Sequence, residues 1–184
     1  MKNKIMNLPN KITILRVILI PIFVASLYLK MEYAREIAVC VFLVASITDA
    51  IDGWIARKYN LVTTFGKLID PIADKLLTFS AFIMLAHMHV ISPVAVIVIM
   101  ARELLVNGIR MVSAESGTVI SASFWGKLKT VSQCVAILLL LLWERISFTT
   151  LPFDQIILWI SVGITVLSGV DYVAKYIKQA KFDR

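Results

Sequence analysis

Hydrophobic positions along this chain neither alternate nor recur on one narrow face; they form long runs separated by short polar stretches. Six runs stand out, at residues 12–29, 34–52, 66–89, 93–113, 124–143 and 153–177. Residues 76–101 hold 26 positions without a single Lys, Arg, Asp or Glu, more than the ~18 that mark a membrane span. At about 20 residues per span, this pattern predicts an all-α polytopic membrane protein with six transmembrane helices. The expected organisation is a single membrane domain over residues 1–184, with a short interfacial segment (1–10) and a six-helix bundle (11–184). Ile5, Met6 and Leu8 stand among lysines in the first segment, a pattern suited to a short helix lying in the membrane interface. Pro9-Asn10 reads as its break, with Asn10 as N-cap of the first span. Lys2, Lys4 and Lys11 precede that span as they would in a signal peptide, but no small-residue cleavage site follows it, so it reads as retained.

Composition sharpens the picture. The chain is 59% hydrophobic and 17% charged, with a mean hydropathy of +0.85. Ordinary globular domains are about 45–50% apolar and about 25% charged, so disorder is excluded and a soluble domain argued against. Cys40 and Cys134 lie in apolar runs without CxxC or metal-ligand spacing, and are expected to be small buried side chains. The net charge is +7, and its distribution matters more than its size. Sixteen of the nineteen cations fall at one set of span ends, leaving Lys30, Arg35 and Arg145 for the other. The positive-inside rule then puts both termini in the cytoplasm. The basic balance therefore reports topology and contact with anionic headgroups or phosphates, and nucleic acid is not an expected partner. With no Arg/Ser-rich transit segment, a bacterial cytoplasmic membrane is the expected location.

Against this background four acids are out of place. Asp49 and Asp52 are three apart at the end of the second run; Asp70 and Asp74 are four apart early in the third. Both spacings put two carboxylates on one helix face. An Asp at a helix centre costs about 2.5–3.5 kcal/mol on insertion scales, so several together need compensation. Singly, each could cap a helix or pair with Arg57, Lys67 or Lys75. Together they form a set of hard oxygen ligands suited to two Mg²⁺ or Mn²⁺ ions, the arrangement that clamps entering and leaving oxygens in a phosphoryl displacement. Gly53 and Ala56 are small enough to admit a bulky ligand near the backbone, and Arg57 suits bidentate phosphate contact. Pro71 fits a first turn or a kink. No Walker glycine loop, nucleophile elbow or HExxH string occurs.

The string Asp49-x2-Asp52-Gly53-x2-Ala56-Arg57-x8-Gly66-x3-Asp70-x3-Asp74 resembles, at all eight positions, the signature of the CDP-alcohol phosphotransferases. Leu8-Pro9-Asn10-Lys11-Ile12-Thr13-x2-Arg16, Ala101-Arg102-Glu103, Gly108-Ile109-Arg110 and Gly126-Lys127-Leu128-Lys129-Thr130 are similar to the branch that uses glycerol-3-phosphate as acceptor. The resemblance implies a six-helix, homodimeric membrane enzyme with a cytoplasm-facing polar cavity and two divalent cations. It makes Asp49, Asp52, Asp70 and Asp74 metal ligands, with Asp74 also the general base. Asp52, Gly53, Ala56, Arg57 and Gly66 would hold the CDP part of a CDP-diacylglycerol donor.

For the acceptor, Arg102, Arg110, Lys127 and Lys129 lie at the same face as the aspartates and suit a substrate carrying its own phosphate. Some of them can equally serve topology or snorkel to headgroups. Thr13 and Arg16 read equally as parts of the cavity or as a cap and an interfacial anchor. Other acceptors within the family, such as inositol phosphate, serine or phosphatidylglycerol, remain alternatives. So do a divalent-cation transporter and a non-catalytic lipid-binding protein. His87 and His89 read as solvated loop residues, and Trp143, Phe148, Phe153 and Trp159 as interface aromatics. Gly163, Ser168 and Gly169 are candidates for close helix packing.

Overall fold

A computed structural model of the protein describes residues 8–29, 31–59, 64–115, 124–146 and 152–182. Among the described residues all regular structure is helical: α1 (Leu8–Leu27), α2 (Ala34–Lys58), α3 (Thr64–His87), α4 (Pro93–Glu115), α5 (Phe124–Ile146) and α6 (Phe153–Phe182). Each apolar run became one helix. Among the described residues, three helices are long and apolar enough to cross a membrane, over Asn10–Leu27, Phe124–Leu142 and Phe153–Gln179. In α2, α3 and α4 the apolar stretch is cut short by charged residues, among them Asp49 in α2, Asp74 and Lys75 in α3, and Arg102 and Glu103 in α4.

The helix ends follow local chemistry. Pro9 and Asn10 already lie within α1, which is described from Leu8 onward. That corrects the reading of Pro9-Asn10 as a break and of Asn10 as N-cap, since both are helical residues. Residues 1–7 of the expected interfacial segment lie outside the described residues. Asn10 is buried. Helix α3 runs through Pro71 well past its first turn, leaving the Lys67 carbonyl without that N–H donor. It ends in a Schellman motif: Val90 N–H donates to the Leu85 carbonyl and His89 N–H to the Ala86 carbonyl, both at 3.0 Å. His89 occupies the left-handed position with φ 59°, where glycine is the usual residue. Ser92 caps α4, its Oγ accepting from Val94 N–H at 3.2 Å, with Pro93 as the first helical residue.

The chain divides into two compact units, Met1–Met84 and Leu85–Arg184. In the first, α1 packs on α2. Ala38 and Ala45 are buried there, and the Phe23 and Phe42 rings meet tilted, 5.9 Å between centroids. In the second, α6 packs against both α4 and α5, and Ile99, Ile137, Leu140 and Leu158 are buried. Cys40 is exposed and not buried as expected, and Cys134 is half-buried. Many large apolar side chains face outward, including Ile18, Ile47, Ile97, Leu105, Trp159 and Val170. Such an apolar exterior is what a lipid-facing surface requires.

Candidate functional site

In the first unit the site begins on α1. Asn10, Thr13 and Arg16 recur every three residues on one face, and all three are buried. The Arg16 side chain is 0% exposed and its Nη1 lies 2.6 Å from Asp49 Oδ1 on α2. Asp49 itself remains 44% exposed, so the guanidinium steadies a carboxylate that is still accessible. The interfacial-anchor reading of Arg16 is thereby replaced: the cation is turned inward. Asp74 on α3 is 38% exposed and bonded at 2.8 Å by the Nζ of its chain neighbour Lys75. Its backbone carbonyl accepts the Thr78 hydroxyl at 3.2 Å.

Asp49 and Asp52 lie on the continuous backbone of α2, and Asp70 and Asp74 on that of α3. Each pair therefore shares a helix face in register. Gly53, Ala56 and Arg57 follow on the last turns of α2, and Gly66 opens α3. The side chains of Asp52, Arg57 and Asp70, and the surroundings of Gly53, Ala56 and Gly66, lie outside the described residues. Among the described residues no group of three metal-ligating side chains forms; only two of the four aspartates are in that set. Asp49 and Asp74 each present a partly exposed carboxylate paired with a basic side chain.

The second unit holds a separate ionic cluster. Glu103 on α4 is 2% exposed and accepts hydrogen bonds from Arg102 Nη1, at 3.1 Å, and from Lys129 Nζ of α5. Arg102 Nη2 donates to Ser168 Oγ of α6 at 2.7 Å. Arg102 thus joins α4 to α6, while Glu103 joins α4 to α5. Gly169 makes this possible, since a Cβ there would stand 2.9 Å from Arg102 Cγ. Nearby, Gln133 Nε2 donates to Thr165 Oγ1 at 3.0 Å, with both residues buried.

Of the four basic residues expected at an acceptor phosphate, the structure brings Arg102 and Lys129 together through Glu103. Arg110 is exposed, its guanidinium carbon 5.8 Å from the centre of the buried Tyr172 ring, within cation–π range. Lys127 is exposed near the start of α5. Sequence reasoning missed Glu103 as a hub, although an acid flanked by Arg in an apolar helix is itself a functional signal. It also missed Arg16 as the partner of Asp49. Of the small residues on α6, Ser168 and Gly169 do receive a close neighbour, whereas Gly163 faces open space. His87 and His89 are exposed, as are Phe153 and Trp159; the Trp143 side chain and Phe148 lie outside the described residues.

Comparison with known proteins places these features in context. The sequence model of the family described as CDP-alcohol phosphatidyltransferase matches residues 6–167. A Bacillus subtilis (strain 168) protein named CDP-diacylglycerol--glycerol-3-phosphate 3-phosphatidyltransferase is 43% identical, covering 92% of this chain and 94% of its own. A Haemophilus influenzae protein of the same name is 36% identical over 91% of each chain. A Mycobacterium tuberculosis protein named probable phosphatidylglycerophosphate synthase is 38% identical over 95% of this chain and 84% of its own. The family match covers most of the chain, reaching into both compact units and including every position of the aspartate signature, and on that ground the chain belongs to the CDP-alcohol phosphatidyltransferase family.

Proposed function

We propose that the protein transfers the phosphatidyl group of CDP-diacylglycerol to glycerol-3-phosphate, forming phosphatidylglycerophosphate and releasing CMP. The observation that carries this reading is the complete aspartate signature in a chain aligned nearly end to end with relatives of that name. All six helices are read as spans, since the shortest has 20 residues and about 20 residues cross a bilayer core. The family match across both units supports one functional domain. A bacterial cytoplasmic membrane, cytoplasmic termini and active site, and a homodimer complete the reading. The charge asymmetry supports its orientation.

Asp49, Asp52, Asp70 and Asp74 would hold two divalent cations, Mg²⁺ or Mn²⁺. When bound, such cations neutralise charge on the donor pyrophosphate as CMP leaves. Gly53, Ala56, Arg57 and Gly66, with Asp52, hold the CDP part of the donor. Arg16 keeps Asp49 in one orientation. Asp74 takes the proton of the acceptor's primary hydroxyl as its oxygen bonds to the lipid-attached phosphorus and the bond to CMP breaks. Arg102, Arg110, Lys127 and Lys129 receive the acceptor's phosphate. No covalent enzyme intermediate is needed; the chain's share is positioning and charge stabilisation.

The test is direct. Purified protein with CDP-diacylglycerol and Mg²⁺ or Mn²⁺ should release CMP with glycerol-3-phosphate, and not with inositol phosphate, serine or phosphatidylglycerol. Chelation should stop the reaction, and either metal should restore it. Asp74→Asn should abolish turnover while donor binding survives; near-wild-type CMP release by that variant refutes the base assignment. Ion flux in liposomes without CMP release would favour a transporter instead.

A further inference from the structure

We propose that Glu103 is a positioning residue for the acceptor site, fixing Arg102 and Lys129 so that both cations meet the phosphate monoester of the acceptor. This rests on the reading of those two cations as acceptor contacts. Four features of the second unit converge on it. Glu103 is almost wholly buried, yet it is charged and accepts from two different basic side chains on two helices. Ser168 anchors the other end of the Arg102 guanidinium at 2.7 Å. Gly169 leaves the groove in which the Arg102 stem lies. The Arg102 side chain is only 10% exposed, and its Nε has no hydrogen-bond partner among the described residues.

The charges point the same way. Arg102 and Lys129 bring two positive charges to one carboxylate, and Arg110 adds a third about two turns further along α4. The other described acid close by in sequence to Ser168 is Asp171, which is engaged by Lys175 at 2.8 Å. The buried Arg102 Nε is a donor without an acceptor among the described residues, which is costly unless an acceptor completes it. Two cations held this close repel each other, strongly so at low dielectric. The carboxylate between them is what allows them to share one bearing. Removing its charge should therefore turn the cations apart and weaken the grip on a dianionic phosphate, with no direct effect on the donor.

The experiment measures KM separately for glycerol-3-phosphate and CDP-diacylglycerol in full-length protein. Glu103→Gln should raise KM for glycerol-3-phosphate by about tenfold to a hundredfold, the range of a lost charge-assisted hydrogen bond. KM for CDP-diacylglycerol should stay within about twofold, a change too small to reflect a lost contact. Glu103→Asp, which keeps the charge on a shorter stem, should recover part of the loss. Ser168→Ala should produce a smaller rise in the same direction, and it keeps the question answerable if Glu103→Gln does not fold. Arg102→Met and Lys129→Met separate the two layers of the argument. If both raise KM for glycerol-3-phosphate while the Glu103 and Ser168 variants leave it unchanged, the positioning role is refuted and the acceptor reading stands. If neither raises it, the acceptor reading fails and takes the positioning role with it. If Glu103→Gln raises both KM values alike and lowers kcat, its role is structural and the proposal is overturned.

Discussion

Gly169 and Gly163 lie within two turns of each other on α6, yet replacing each with alanine should shift stability in opposite directions. A Cβ on Gly169 would stand 2.9 Å from Arg102 Cγ, 3.5 Å from its Nε and 3.8 Å from its Cδ. Carbon atoms prefer about 3.5 Å or more, so the pair must separate by roughly 0.6 Å. Because Cγ lies near the root of the side chain, it yields only through a χ1 rotation or a shift of α4 against α6. Either movement strains the 2.7 Å bond to Ser168 and the 3.1 Å bond to Glu103. Overpacking of this kind costs about 1–3 kcal/mol, set against a gain in helix propensity of about 0.8–1 kcal/mol. The net expectation for Gly169→Ala is a loss of about 0–2 kcal/mol. Gly163 has nothing within 4 Å of its would-be Cβ, so Gly163→Ala should keep the propensity gain. The assay is thermal unfolding of both variants in one detergent, followed by circular dichroism. For a chain of this length about 1 kcal/mol corresponds to about 2–4 °C, so the two midpoints should differ by several degrees. If Gly169→Ala melts at or above Gly163→Ala, the close approach of Arg102 to α6 is not what holds this position to glycine.

Three further outcomes are expected. Arg16→Met should lower the melting midpoint and weaken divalent-metal binding measured by calorimetry; the stability loss should be about 1–3 kcal/mol, below the 3–5 kcal/mol of a fully buried broken pair because Asp49 is partly exposed. An unchanged midpoint would mean that the Arg16–Asp49 pair contributes nothing. His89→Gly should raise the midpoint, by up to about 1 kcal/mol, because the residue holds φ 59°, and His89→Val should lower it; the reverse order would contradict the Schellman geometry. Thr165→Val should cost about 1–3 kcal/mol by leaving the buried Gln133 amide without its acceptor, whereas Thr165→Val with Gln133→Leu should be nearly neutral. Additive losses in the double variant would refute the coupling.

The helices were legible in the sequence because nothing else satisfies long uncharged runs in lipid, and their limits fell where Ser92-Pro93 and the polar interruptions placed them. The signature aspartates were legible for the complementary reason: charge is scarce in such a chain, so its clustering is informative. Pairings across helices were not. Periodicity puts Asp49 on a face of α2 but says nothing about which of the neighbouring cations reaches it, and Arg16, far away in sequence, does so from a buried position on α1. Glu103 was hidden for another reason. Beside Arg102 it looks like a self-neutralising pair, and only the packing of α5 brings Lys129 to the same carboxylate. Pro9 misled because a proline commonly interrupts a helix, whereas α1 includes it.

The completely buried guanidinium of Arg16 also constrains how the protein enters the membrane. Helix α1 precedes α2 in the chain and carries an arginine in mid-span that would cost about 2.5–3.5 kcal/mol in hydrocarbon. Its counter-charge arrives only with the last part of α2. The first two helices are therefore best accommodated together, as a hairpin whose halves neutralise each other on the way in. A truncated chain that stops ahead of Asp49 should hold α1 in the bilayer less securely than one that includes it.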